Sequence, residues 1–221
     1  MKKILCAVFV TASAFLVSCG GSPSSPKKDN SADTRKDNPV ETKTDTPVDR
    51  MGVKGPLKFN GINFNLAWTD RPRDTYYIQE YLPDGERVEN FNQLLTIHIL
   101  DTDVSLPRAV EQKENELTER KKTDPVCNYK IIKSADGKEF IIDFLLGESK
   151  DGEMTIVEFN IYRYREIQIN NNPKALLIYA YSKRAYGDNI TAFLQKLADD
   201  RTIYLNEMAS TEIPAITIES K

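Results

Sequence analysis

The stretch of sequence that decides the fold is residues 139–167, EFIIDFLLGESKDGEMTIVEFNIYRYREI. Its two halves are joined by Asp151-Gly152, a dipeptide that favours a tight turn between antiparallel strands. Apolar residues occupy every second position in each half, which is the period of a β-strand: Phe140, Ile142, Phe144 and Leu146 in the first half, and Val157, Phe159 and Ile161 in the second. The stretch therefore predicts a meander of antiparallel strands with one buried face.

Further strands are predicted on both sides of this stretch. NYKIIKS leads into it through Asp136-Gly137, and KALLIYAYS follows it after a turn at residues 170–173. Earlier in the chain, LKFNGINFNLAW, TYYIQEYL and LLTIHIL each have the composition of one strand, with a turn at residues 83–85 after the second. We thus expect three strands in the first half of the chain and four in the second.

Two helices complete the pattern. Ser105 is placed to cap a charged helix that runs to about Lys122, with Pro107 in its first turn. Asp188 is placed to cap the second helix, whose apolar stripe has helical spacing: Ile190, Phe193, Leu194 and Leu197. The order β-β-β-α-β-β-β-β-α predicts the α+β class, a largely antiparallel sheet packed by helices. This element order loosely resembles the Mog1/PsbP-like α/β/α sandwich, a resemblance that transfers no functional residue.

The N-terminus carries a different signal. A basic Met1-Lys2-Lys3 precedes an apolar run from Ile4 to Leu16, which has the length of a signal-peptide core and is too short to span a bilayer. The run ends in Leu16-Val17-Ser18-Cys19. This ending resembles the lipobox of bacterial lipoproteins, in which Leu16 and Ser18 would guide cleavage before Cys19. The resemblance implies a diacylglyceryl group on the Cys19 thiol; a plain signal peptide with an incidental cysteine is the alternative.

A lipid on Cys19 would fix the location of the protein. One acyl chain gives only marginal membrane binding, whereas two or three chains on one residue hold a protein on the membrane. Gly20 stands where the resemblance to enteric lipoproteins would place Asp for retention in the inner membrane. We therefore expect a lipid-anchored protein of the bacterial cell envelope, in the outer membrane rather than the inner one.

Composition divides the chain into four parts. Residues 1–18 are the predicted signal peptide, and residues 19–55 are the lipidated cysteine and a flexible linker rich in Ser, Pro, Thr, Asp and Lys. Residues 56–214 are predicted to form one globular α+β domain, and residues 215–221 a C-terminal tail. The linker would let a folded head stand away from the membrane.

The residue inventory excludes several classes of function. A net charge of -3 is unlike the basic excess of nucleic-acid-binding proteins. With one histidine and three cysteines the chain lacks the ligands of a structural zinc site, so no metal and no cofactor is predicted. No phosphate-binding loop, nucleophile elbow or metalloprotease motif occurs either.

The candidate binding residues lie in one predicted strand. Tyr162 and Tyr164 alternate with Arg163 and Arg165, and Tyr and Arg are enriched at protein interfaces. The alternative is that the tyrosines cover sheet edges while the arginines are solvated. The remaining chemical groups have structural interpretations: His98 as a partly exposed strand residue, Cys127 as a small buried thiol, Asp143 as a solvated strand position, and Glu80 and Glu86 as residues flanking a turn.

These observations predict a membrane-anchored lipoprotein that acts as a binding or assembly module of the cell envelope. Its partners would be the membrane, through the lipid, and an envelope protein. A small-ligand carrier and an envelope hydrolase that uses only carboxylates remain the alternatives, since 33 acidic residues always offer pairs.

Overall fold

The computed structural model describes residues 46–169 and 172–218, which belong to one compact unit, Thr46–Lys221. The predicted signal peptide, the motif at Leu16, Ser18 and Cys19, and most of the predicted linker lie outside the described residues. The strands are β1 (Leu57–Phe59), β2 (Ile62–Arg73), β3 (Tyr76–Leu82), β4 (Gln93–Leu100), β5 (Asn128–Lys133), β6 (Glu139–Lys150), β7 (Glu153–Ile169) and β8 (Asn172–Tyr186). The helices are α1 (Leu106–Arg120) and α2 (Ile190–Ser210).

All eight strands form one antiparallel sheet with the order β1-β2-β3-β4-β8-β7-β6-β5. Two four-stranded meanders, β1 to β4 and β5 to β8, meet where β4 pairs with β8. Helix α1 connects β4 to β5 at the far edge of the sheet, and α2 follows β8. The predicted α+β class is confirmed.

The predicted number of strands is one too few. LKFNGINFNLAW forms a hairpin of β1 and β2 in which Leu57 pairs with Phe64. Asn60 and Gly61 both have positive φ, at 47° and 77°, so they reverse the chain between the strands. Asn-Gly is a strong hairpin signal, and the apolar alternation changes phase across it, from Leu57 and Phe59 to Ile62 and Phe64.

The prediction of one buried face is wrong, because a helix covers each face. Directly opposed residues of neighbouring strands point to the same face. Ile142 opposes Tyr162, whereas the next residue on β6, Asp143, opposes Ile161. The Phe140–Leu146 and Val157–Ile161 alternations therefore lie on opposite faces: α2 packs on the second, and α1 packs on the first.

The helices lie where the sequence predicts them, with different starts. Ser105 is the N-cap of α1, although its side chain makes no capping hydrogen bond to any described residue, and a proline occupies the first turn. Asp188 lies in a 3-10 turn, Gly187–Asn189, so α2 starts after Asn189. Neither described helix is long and apolar enough to cross a membrane.

Both ends of the predicted domain extend further than composition indicates. Met51 and Val53, placed in the linker, are buried, and the Asp49 carboxylate accepts hydrogen bonds from both of their backbone N–H groups at 3.1 and 3.0 Å. Thr217, placed in the tail, donates its N–H to the Met51 carbonyl at 2.8 Å, and Ile218 is buried beside it. A few apolar residues in a polar segment thus suffice to fasten it to the core.

Candidate functional site

The predicted Tyr/Arg binding surface is not exposed. Tyr162, Tyr164 and Arg163 are each at least nine-tenths buried. Arg163 donates through Nη1 to the carbonyls of Met208 and Thr211, both at 2.9 Å, at the C-terminal end of α2. Its guanidinium also contacts Glu139. Arg163 therefore stabilises the C-terminal end of α2 and is not available to bind a partner.

Tyr162 and Arg165 of that surface also make contacts within the protein. Tyr162 lies edge-on to Phe144, with 4.9 Å between ring centroids, and beneath Lys113 of α1 at 5.4 Å. Only Arg165 keeps substantial exposure, with 39% of its side chain accessible, and its guanidinium is 3.6 Å from Glu139. A single exposed arginine does not form an interface. The prediction that these four residues form a binding surface is therefore wrong.

Asp143 is also placed differently from the prediction. It is fully buried rather than solvated, and Arg201 of α2 donates to its Oδ2 at 2.5 Å. Its Oδ1 has no partner among the described residues. Asp143 points to the face of β6 opposite Phe144. Because α2 covers that face, the carboxylate lies in the core and not in solvent. Cys127 is a buried thiol, as predicted.

The α1 side of the sheet carries an unusual number of buried polar groups. Glu80 opposes Thr96, which opposes Ala180, which opposes Tyr162, so side chains from four strands share this face. We call the buried polar residues of this face the polar cluster: Glu80, Thr96, His98, Glu158, Asn160, Ser182 and Arg184.

Most of the polar cluster is paired. Ser182 donates to the Asn160 side-chain oxygen at 2.6 Å, and Arg184 donates through Nε to Glu158 at 2.7 Å. Both partners of the Arg184–Glu158 pair are buried. Removing either one would leave an uncompensated charge in the core and would destabilise the fold.

Glu80 is the exception. None of its surface is exposed, and no described residue hydrogen-bonds to either carboxylate oxygen. Burial raises the pKa of Glu80 to about 7; Arg184 opposes this shift and Glu158 adds to it. The nitrogen of the Asn160 side chain likewise lacks a partner among the described residues. A buried group without a partner in a native protein calls for a specific explanation.

His98 is buried, with 3% of its surface exposed, so the prediction of a partly exposed histidine is wrong. Its Nδ1 lies 2.9 Å from the Tyr76 hydroxyl. Burial, reinforced by the charge of Lys113, lowers the pKa of His98 to about 3. The imidazole is therefore neutral at ordinary pH.

The polar cluster does not form an accessible active site in this conformation. Each of its members is at most 9% exposed, so a substrate cannot contact them. Within the described part of the chain, no group of three or more His, Cys, Asp or Glu side chains is arranged to hold a metal ion.

An accessible concavity lies on the opposite side, beside α2. This α2 groove has a volume of about 200 Å³ and is lined by Lys183 of β8 and by α2 residues that include Phe193, Lys196, Leu197, Asp200 and Tyr204. Among its lining residues, Leu197 and Tyr204 are buried and Phe193 is half-buried. The accessible surface of the groove is mostly apolar.

Polar groups form a continuous chain around this groove. Lys183 donates to the Tyr204 hydroxyl at 2.7 Å, and Tyr204 donates to Asp200 at 3.2 Å. Lys196 lies 2.8 Å from the same Asp200 oxygen, and this contact raises the pKa of Lys196 and lowers that of Asp200. Two lysines and one aspartate thus line the groove, and Asp199 also acts on Lys196, so the rim carries charges of both signs.

Neither the unpartnered Glu80 nor the α2 groove is directly indicated by the sequence. Glu80 lies in YYIQEYL, which forms a strand that is buried on both faces. A glutamate close to a turn is ordinarily exposed to solvent, so its position in the sequence does not indicate this burial. The groove uses Phe193 and Leu197, which have the spacing of an ordinary core-facing stripe. Lys183 reaches the groove from a different element, which no local pattern indicates.

Comparison with known proteins gives one match. Residues 51–213 match the model of a bacterial protein family whose function is uncharacterised. The match begins at the buried Met51 and covers every strand and both helices. No curated protein and no solved structure is significantly similar to the chain. The resemblance to the Mog1/PsbP-like sandwich stays a prediction.

Proposed function

The chain belongs to this bacterial family, and from that premise we propose that it is a lipid-anchored binding module of the cell envelope. Its folded head would hold an envelope protein in the α2 groove. The observation that carries the proposal is the groove itself, a mostly apolar concavity beside α2 with charged side chains among its lining residues.

The size of the groove favours a protein partner over a small ligand. Ligand pockets usually measure about 300–1,000 Å³. A volume of about 200 Å³ is below that range and suits one large apolar side chain of a partner. Interfaces commonly depend on a few such anchors inserted into pockets.

The rim indicates the chemistry of the partner. Among the lining residues, Lys183 and Lys196 provide two ammonium groups and Asp200 one carboxylate, while Asp199, outside the lining, also acts on Lys196. An anchor side chain flanked by a carboxylate would complement the ammonium groups, because complementary charges at a rim steer association and select partners. We therefore propose an acidic envelope protein that presents an apolar side chain.

The anchor is a separate part of the proposal. The lipobox-like sequence at Leu16, Ser18 and Cys19 supports attachment of the head to a membrane, and the absence of Asp after Cys19 favours the outer one. Metabolic labelling with an alkyne fatty acid tests it directly. The wild-type chain should carry the label and fractionate with membranes, and the Cys19→Ala variant should do neither. An unlabelled wild-type chain would refute the anchor.

The groove is tested by affinity purification of the full chain from detergent-solubilised envelopes. Replacing Phe193 by Ala and Lys196 by Glu together should reduce recovery of the partner at least tenfold, because both the anchor pocket and the rim charge are lost. The control replaces Arg108 by Glu, because Arg108 is an exposed residue of α1, which packs on the other face of the sheet from α2. Equal recovery with both variants would refute the groove as the binding site.

A further inference from the structure

The enclosed carboxyl of Glu80 has a geometry that suits only its neutral form. It lies on β3 between β2 and β4, with no exposed surface. Neither of its oxygens receives a hydrogen bond from the described residues. A carboxylate in such a place would lose its hydration without receiving donors in exchange, whereas a protonated carboxyl avoids most of this cost.

The charges around Glu80 do not compensate for its ionisation. Arg184 and Glu158 are the charges that act on it most, and they already form an ion pair with each other. On α1, Lys113 is likewise paired with Glu116, at 3.0 Å. The other titratable groups that face the polar cluster are Asp70 of β2, Tyr76 of β3, His98 of β4, Tyr162 and Tyr164 of β7, and Tyr186 of β8. His98 is neutral, so ionised Glu80 would add one unbalanced negative charge.

Arg184 links this charge balance to a surface segment. Its guanidinium lies over the Phe91 ring, 4.1 Å from the centroid. Phe91 belongs to residues 83–92, which we call the cover loop, and packs with Leu82 and Leu94 on this end of the sheet. Glu86 holds the base of the loop by accepting hydrogen bonds from the N–H groups of Asn92 and Gln93.

We propose that protonation of Glu80 is a switch that keeps the cover loop closed on the sheet. When Glu80 ionises, its carboxylate competes with Glu158 for Arg184 and draws the guanidinium away from Phe91. The cover loop then loses its cationic contact and opens more often. Because burial raises the pKa of Glu80 to about 7, the switch would operate near neutral pH.

The chain contains its own reporter of this event. Trp68, the single tryptophan, is directly opposite Glu80 in the β2–β3 pairing and therefore shares its face. His98 is the single histidine, and its pKa of about 3 excludes it as the source of a transition near pH 7. A change of Trp68 fluorescence in this range would thus report on Glu80.

The experiment is a fluorescence titration of the full chain between pH 5 and 9. The wild-type protein should show a one-proton transition with its midpoint near 7, and the Glu80→Gln variant, which mimics the protonated form, should show none. The control variant, Glu153→Gln, removes an exposed carboxylate of β7 and should keep the transition. A transition of equal size in Glu80→Gln would overturn the proposal.

Hydrogen exchange tests the movement itself. After correction for the intrinsic effect of pH, amides of residues 84–92 should exchange at least threefold faster at pH 8.5 than at pH 5.5 in the wild-type chain. The Glu80→Gln variant should exchange at similar corrected rates at both pH values. A wild-type cover loop with unchanged protection would overturn the switch, even if Trp68 reports the titration.

Discussion

At the scale of single residues, burial rather than residue type decides the chemistry of this protein. The sequence predicts the burial of Cys127 correctly, but it predicts a partly exposed His98 and a solvated Asp143, and it places Glu80 only beside a turn. All three are buried because both faces of the sheet are covered. A period-2 pattern identifies the two faces of a strand, and it does not reveal whether the polar one meets solvent or a second helix.

His98 makes a prediction about stability in acid. Its pKa is lowered from 6.5 to about 3, so the unfolded chain binds a proton more readily than the folded one below pH 6.5. The free energy of unfolding should therefore fall by about 1.4 kcal/mol for each pH unit between pH 6.5 and the folded-state pKa of about 3. Urea unfolding at pH 7 and pH 5 should show a larger loss in the wild-type chain than in His98→Gln. Identical losses in the two proteins would contradict this account.

At the scale of secondary structure, turn chemistry and periodicity locate most elements. Asp136-Gly137 and Asp151-Gly152 occur at the turns of two hairpins, and both helices are found where their spacing predicts them. The first hairpin is lost when LKFNGINFNLAW is treated as one strand, although Asn60-Gly61 and the change of alternation phase across it both indicate a turn. The pairing of β4 with β8 could not be predicted, since it joins residues more than seventy positions apart. Local patterns carry no information on such a pairing.

Arg163 makes a prediction about one element, the end of α2. The free carbonyls at a helix C-terminus need partners, and Arg163 supplies donors to those of Met208 and Thr211. We expect Arg163→Ala to cost about 3 kcal/mol, because it also leaves Glu139 without its closest cation.

The measurement is hydrogen exchange together with denaturant unfolding. Exchange in the last turn of α2 should accelerate more than exchange at its first turns. The matched control is Arg165→Ala, which removes a neighbouring and more exposed arginine at a cost within about 1 kcal/mol. If both variants lose the same stability, Arg163 does not cap the helix.

At the scale of the whole molecule, the α+β class follows from the order of elements, whereas the extent of the folded unit does not. Residues 46–55 have linker-like composition, but Met51 is fully buried and bonds through its backbone to Thr217. The segments around Met51 and Thr217, both of linker-like composition, therefore pack against each other and complete the core. The α2 groove is also a property of the whole, because Lys183 and α2 meet only after the sheet has formed.

Met51 tests this extent of the folded unit. Removing a fully buried side chain of this size should destabilise the full chain by about 2–5 kcal/mol. Met51→Ala should therefore lower the thermal midpoint by several degrees. Val48→Ala is the control, since Val48 is 60% exposed and three residues earlier. Equal thermal unfolding midpoints for the two variants would contradict this account and would indicate that residue 51 belongs to the linker.

The central claim is that the head holds an envelope protein in the α2 groove, and crosslinking in living cells tests it most directly. A photo-reactive amino acid would replace Ala192 at the groove in one strain and Arg108 of α1, on the other face of the sheet, in another, each in the full chain. We predict one reproducible protein adduct from position 192, lost on Cys19→Ala, and none of that mass from position 108. No adduct from position 192, or the same adduct from both positions, would contradict the claim.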